Sequence, residues 1–130
     1  MKQLIITLVL LVASFSTAFS QTNSGYTMLA DKVYIDYCDG QGYSKVSDCD
    51  KVLNLDMVEQ ELHINGVESF IWLNKSTTTQ NGIQITTMKC IDREDINCDI
   101  DMFFYNNVIY IKISYSNIVI KYRINKVIPY

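Results

Sequence analysis

CDIDMFFYNNVIYIKISYSNIVIKYRINKV, residues 98 to 127, sets two pairs of turn-prone residues, Asn106-Asn107 and Ser116-Asn117, between runs that alternate apolar and polar positions. Alternation with a period of two is the signature of a strand with one buried face. If each turn has two residues, the first hairpin pairs Ile100 with Ile113, Met102 with Ile111 and Phe104 with Ile109. The second pairs Ile113 with Ile120, Ile111 with Tyr122 and Ile109 with Ile124. Both hairpins therefore put Ile109, Ile111 and Ile113 on the same face. A slip of one residue in either would turn the apolar set to solvent. The stretch reads as a three-stranded antiparallel meander.

The other face of the meander follows from the same arithmetic. Asp101, Lys112 and Lys121 fall in one row, and Phe103, Tyr110 and Arg123 in the next, with Tyr105 on that face as well. Extending backwards, a hairpin through Asp92–Asn97 pairs Cys90 with Cys98, Lys89 with Asp99, and Thr87 with Asp101. Asp101 and Asp99 then have cationic or polar partners, of the kind worth about 0.2–1 kcal/mol when exposed.

Upstream, Val33–Tyr37 alternates as a first strand, and residues 38 to 49 (CDGQGYSKVSDC) read as a Gly- and Asp-rich loop with Cys at both ends. Met57–Leu62 is equally readable as a short helix or as strand. Asn65-Gly66 between apolar residues is a strong hairpin signal; a two-residue turn there sets Ile64 against Val67 and His63 against Glu68. Phe70–Leu73 continues that strand, Lys75–Gly82 reads as a polar connection, and Ile83–Ile91 as a further strand. One proline and recurrent turn residues complete the picture of an all-β fold. The expected architecture is a small antiparallel barrel or sandwich of about seven or eight short strands.

The first 20 residues have a different grammar. Lys2 precedes an apolar run from Leu4 to Val12, and Ala18-Phe19-Ser20 places small residues at −3 and −1 of a cut before Gln21. That is the pattern of a cleaved secretory signal. Ser14, Ser16 and Thr17 interrupt the run well short of the roughly 20 apolar residues of a membrane span. The expectation is an exported protein, secreted or periplasmic, with residues 21–130 as one β domain and no membrane span left after cleavage. Removal of Lys2 leaves 10 basic against 14 acidic residues, a net charge of −4. Lys112, Lys121, Arg123 and Lys126, spread over two alternating strands, make no nucleic-acid footprint, and no cofactor motif is present.

Cys38, Cys49, Cys90 and Cys98 form an even set, which in an exported chain reads as disulfides. Their spacings lack the close Cys-x-x-Cys pairs of zinc and redox sites. Of three connectivities, the local pair Cys38–Cys49 and Cys90–Cys98 is preferred.

Three groups of residues could carry function. Asp95, Asn97 and Asp99 match the start of a calcium loop, but Ile100 stands where Gly is required and Asn106 where a bidentate Glu is required. The pleat of a strand explains the same alternation, and a calcium-stabilised structural protein is the second alternative. The single histidine, His63, limits hydrolytic sets to one, with Glu68 as its expected neighbour and no nucleophile motif beside it; a secreted hydrolase is the first alternative. The third group is Phe103, Tyr105, Tyr110 and Arg123, since aromatics beside arginine compose interface hot spots. In a sandwich, a second sheet would cover that face. Tyr43, in the glycine-containing loop, is a further candidate contact, and Asn74-Lys75-Ser76 has the form of a glycosylation acceptor. Tyr37-Cys38-Asp39-Gly40, near the start of the exported domain, resembles the bacterial inhibitors of C-type lysozyme over those four residues. The resemblance implies a small exported β inhibitor. The expected function is a non-enzymatic binding or interaction module for a protein or small-molecule partner.

Overall fold

The computed structural model describes residues 24–130, so the expected leader lies outside the described residues. Eight strands are described: β1 (Gly25–Asp36), β2 (Tyr43–Asp56), β3 (Glu61–Ile64), β4 (Glu68–Gln80), β5 (Ile83–Asp92), β6 (Asn97–Tyr105), β7 (Val108–Ser114) and β8 (Val119–Pro129). Each pairs antiparallel with its neighbour in sequence, and β8 returns to β1, which closes the sheet into an up-and-down barrel. Closure removes the edges that an open sheet would leave over most of its length. One side of every strand faces a core that includes Met28, Leu53, Leu55, Leu62, Ile64, Met88, Ile100, Ile111 and Ile113.

The meander has the register read from its turns. Met102 pairs with Ile111, Phe104 with Ile109, Ile111 with Tyr122 and Ile109 with Ile124. Cys90 faces Cys98 and Thr87 faces Asp101 across β5 and β6. Asn106 and Asn107 both take positive φ, as a two-residue hairpin turn of this hand requires.

The β3–β4 hairpin departs from the expected pairing. Ile64 faces Glu68, His63 faces Ser69 and Leu62 faces Phe70, so the turn has three residues, Asn65 to Val67. A two-residue turn would set Phe70 and Trp72 on the face opposite Leu62 and Ile64. With the extra residue all four enter the core. Burying a Phe and a Trp, worth about 1.5–3 kcal/mol or more each, outweighs the tighter turn. Asn65 fixes the bend: its amide donates to the Val52 carbonyl and its Oδ1 accepts from the Val52 amide, both at 2.8 Å.

Three further expectations are corrected. Strand β2 begins at Tyr43, so the loop after β1 is short and the segment from Tyr43 to Cys49 is strand. Strand β4 runs through the Thr-rich segment to Gln80, leaving only Asn81-Gly82 as the turn. β-branched threonines suit a pleated surface, and their polarity masked them as strand in a reading led by hydrophobicity. Residues 57–60 are neither helix nor strand but a turn, in which the Asp56 carboxylate accepts from the Val58 and Glu59 amides.

The four cysteines are thiols, not disulfides. Asp36 pairs with Tyr43, and Cys49 lies six residues further along β2, beside Ala30, whose carbonyl accepts from its thiol at 3.6 Å. At about 3.3 Å per residue, Cys38 and Cys49 are roughly 20 Å apart along the ladder, beyond any bridge. Cys90 and Cys98 do face each other. Counting along β5 from the two-residue turn at Asn81-Gly82 makes theirs a hydrogen-bonded pair, the wider kind in which side chains stand further apart.

Candidate interaction surface

Because the sheet closes on itself, the face opposite the core is the outer wall of the barrel, and no second sheet covers it among the described residues. The rows read from the sequence are present there. Phe103, Tyr110 and Arg123 lie side by side across β6, β7 and β8, with Asp101, Lys112 and Lys121 in the row above. Closure adds two strands that the meander alone could not supply. On β1, Lys32 lies beside Arg123 and Tyr34 beside Lys121. On β2, Tyr43 completes the group.

The aromatic rings form a connected set. Phe103 stacks on Tyr110 with centroids 5.6 Å apart, Tyr110 meets Tyr34 edge-on at 6.4 Å, and Tyr34 meets Tyr43 at 6.2 Å. Such pairs contribute about 0.5–1.5 kcal/mol each beyond their buried area. Lys121 sits among the three tyrosines, its Nζ 4.3 Å from the Tyr43 centroid, 4.8 Å from Tyr34 and 5.0 Å from Tyr110. Partial burial, with the Lys112 charge second, lowers the pKa of Lys121, and burial raises those of Tyr43 and Tyr110. The ammonium ion has lost water on the ring side, where a cation–π contact is strongest. Tyr105 is exposed on the same face, outside the stacked set.

Arg123 is held by a partner that no local pattern identifies, Asp31 on β1. Asp31 alternates with the buried Met28 and Ala30 and so faces outward, where its two oxygens accept from Arg123 Nε at 2.9 Å and Nη2 at 2.8 Å; the register break between Ala30 and Lys32 then sets Lys32 and Tyr34 on the same wall. This fork-to-fork bond lowers the Asp31 pKa and raises that of the guanidinium. Nearby, Asp101 accepts from Thr87 Oγ1 at 2.6 Å and lies 3.6 Å from Lys112 Nζ, while Lys89 and Asp99 pair at 3.0 Å. Of the residues that resembled a calcium loop, Asp99 forms an ordinary cross-strand pair on this wall, Asn97 starts β6, and Asp95 lies in the β5–β6 turn with positive φ. Among the described residues no group of three His, Cys, Asp or Glu side chains could hold a metal ion.

His63 does not meet Glu68. The three-residue turn moves Glu68 one position along, and His63 Nε2 instead lies 2.9 Å from Glu61 Oε2. Ser69 stands opposite His63, but no hydrogen bond joins them.

A feature not anticipated is an open cleft of about 590 Å³ at one end of the barrel, lined by Glu68, Phe70, Asp92, Arg93, Glu94 and Tyr115 among others. Its polar groups bond largely to one another. Tyr115 donates to Asp92 Oδ2 at 2.9 Å, Asp92 Oδ1 accepts from the Glu94 and Ile96 amides at 2.9 Å, and Arg93 donates to the Val67 carbonyl. Burial, reinforced by the bond to Asp92, raises the Tyr115 pKa. The Asp92 side chain is thereby spent on ordering the β5–β6 turn.

Comparison with protein-family models, curated proteins and solved structures finds no match to this chain.

Proposed function

We propose that the chain is an exported, non-enzymatic interaction module that engages a protein partner through the outer wall formed by Tyr34, Tyr43, Phe103, Tyr110, Lys121 and Arg123. The observation that carries this reading is the position of the aromatic–cation cluster: outside a barrel whose interior is already filled by its own side chains. Aromatic rings and arginine are enriched at binding hot spots, where they supply large contact area with little conformational entropy to lose. Rings locked on one another, and an arginine locked by Asp31, give a rigid surface that costs little to order on binding. An inhibitor of another exported protein is one member of this class.

The test is affinity capture from the extracytoplasmic fraction of the source cells, followed by identification of what is retained. A protein held by the wild type and lost with Tyr110→Ala and Arg123→Ala, but kept by Ile71→Ala on a different part of the wall, is the expected result. Equal capture by all three variants removes this surface from consideration. Hydrolytic activity that disappears in His63→Ala would favour the enzyme alternative instead.

A further inference from the structure

We infer, on the reading of the outer wall as an interface, that the partner sets a carboxylate against Lys121, carried by an aspartate or glutamate among apolar side chains. The cations of the wall differ in how their charge is met. Arg123 is forked onto Asp31, and Lys112 lies 3.6 Å from Asp101. Lys32 stands opposite Asp48 in the β1–β2 ladder and next to Asp31 in the chain, close enough to lower the Asp31 pKa. Lys121 has no such acid. Its ladder neighbours are Lys112 on one side and Tyr34 on the other. Among the described residues no carboxylate lies within 4 Å of its Nζ.

What surrounds this ammonium ion is tyrosine, at 4.3, 4.8 and 5.0 Å from the ring centroids of Tyr43, Tyr34 and Tyr110. A ring face attracts a cation without neutralising it. The rings have therefore taken water from one side of the charge and supplied no counter-charge. The chain's own acids nearest this place are engaged elsewhere. Asp36 and Asp101 both act on the Tyr43 phenol, yet Asp36 accepts from the Cys38 amide at 2.8 Å, and Asp101 from the Thr87 hydroxyl while facing Lys112.

A carboxylate arriving from the open side would accept a charge-assisted hydrogen bond from Lys121 Nζ. The surrounding ring hydrocarbon lowers the effective dielectric there, so the pair is stronger than one on a plain polar surface. The same rings offer apolar contact to the residues that flank the carboxylate, and charge complementarity of this kind fixes register and rejects wrong partners. A protein carboxylate is favoured over a polyanion such as nucleic acid or an anionic membrane. The described residues carry 10 basic against 14 acidic side chains, a balance that repels an extended negative surface. A single unmatched cation among aromatic rings calls for a single anionic group with apolar neighbours.

NMR titration of the purified protein with acetylated, amidated Leu-Glu-Leu, and with the same peptide bearing Gln or Lys at its centre, tests this. The Glu peptide is expected to shift the Lys121 side chain and the rings of Tyr34, Tyr43 and Tyr110. Its half-saturating concentration should be at least about tenfold below that of the Gln peptide, and the Lys peptide should shift none of them. Lys121→Met is expected to bring the Glu peptide to the level of the Gln peptide, and Lys121→Arg to keep the preference. Equal responses to the Glu and Gln peptides, shifts that bypass these residues, or no shift at all overturn the inference. So does sedimentation with phosphatidylglycerol vesicles that Lys121→Met abolishes, which would assign the charge to a lipid surface. If Lys121→Met impairs folding, the contrast between the Glu and Gln peptides on the wild type still decides. A captured partner whose affinity falls with Tyr110→Ala but not with Lys121→Met overturns the carboxylate contact and leaves the wall as the interface; one unaffected by either removes the wall itself.

Discussion

Replacing Phe70 by Ala, beside the same change at its neighbour Ile71, tests the register that fills the barrel. Phe70 is 2% exposed and opposite Leu62, whereas Ile71 is 49% exposed on the outer wall. Truncating a buried Phe costs about 3–5 kcal/mol through lost transfer energy and the cavity left behind. A half-exposed Ile forfeits part of its burial and leaves no cavity, so its loss should cost no more than about 1 kcal/mol. At a urea slope of about 1–3 kcal/mol per molar, Phe70→Ala should lower the unfolding midpoint by at least about 1 M, and Ile71→Ala by much less. Urea titration of both variants, followed by circular dichroism at unchanged slope, reads the contrast. In the two-residue turn the parity of β4 reverses: Ile71 would point inward and Phe70 outward. A larger loss for Ile71→Ala than for Phe70→Ala would therefore refute the three-residue turn.

The remaining predictions concern the thiols, a glycine and the ion pair at Asp31. Burial raises the Cys90 and Cys98 thiols to about 12 and about 11, so in the native state at pH 8 iodoacetamide should label Cys38 rapidly and leave both of these unmodified; intact mass before and after unfolding checks this, and a native mass lower by one disulfide would contradict it. A Cβ on Gly25 would collide with the Leu55 carbonyl and the Tyr130 ring, and backbone on one side cannot yield, so Gly25→Ala should cost about 1–3 kcal/mol in urea unfolding. The Arg123 bond lowers the Asp31 pKa, so its contribution is present above the unfolded carboxylate value near 3.9 and is lost as pH falls through the lower folded value. Since the pair is about one-third exposed, Arg123→Met should cost no more than about 1 kcal/mol at pH 7, and wild type and variant should converge near pH 2.

The parts of the fold that were legible in the sequence are those where turn chemistry and apolar alternation agree. The meander is the clearest case, because two independent turns specify one buried face. Legibility failed where one signal stood alone. Asn65-Gly66 is a strong turn pair, yet the need to bury Phe70 and Trp72 added a residue to the bend. The threonines of β4 carried no hydrophobic period, and Tyr43–Cys49 was hidden by glycines before it and a cysteine at its end. The wall divides the same way. Phe103, Tyr110 and Arg123 fall in one row by counting from Asn106-Asn107 and Ser116-Asn117. Tyr34, Tyr43 and Asp31 join them only because β8 pairs with β1 and a break in the ladder at residue 31 brings Tyr34 onto the same face as Asp31. Neither event leaves a local mark in the sequence. The cleft at Asp92 and Tyr115 was beyond reach for the same reason, since it joins three turns distant in the chain.

The dissociation constant of the captured protein for wild type, Tyr110→Ala, Arg123→Ala and His63→Ala tests the central claim most directly. An interface anchored on the aromatic wall predicts losses of about 2 kcal/mol or more, roughly 30-fold, for the first two variants and none for His63→Ala. Unchanged affinity in both wall variants, with each still melting as a folded barrel, would contradict it.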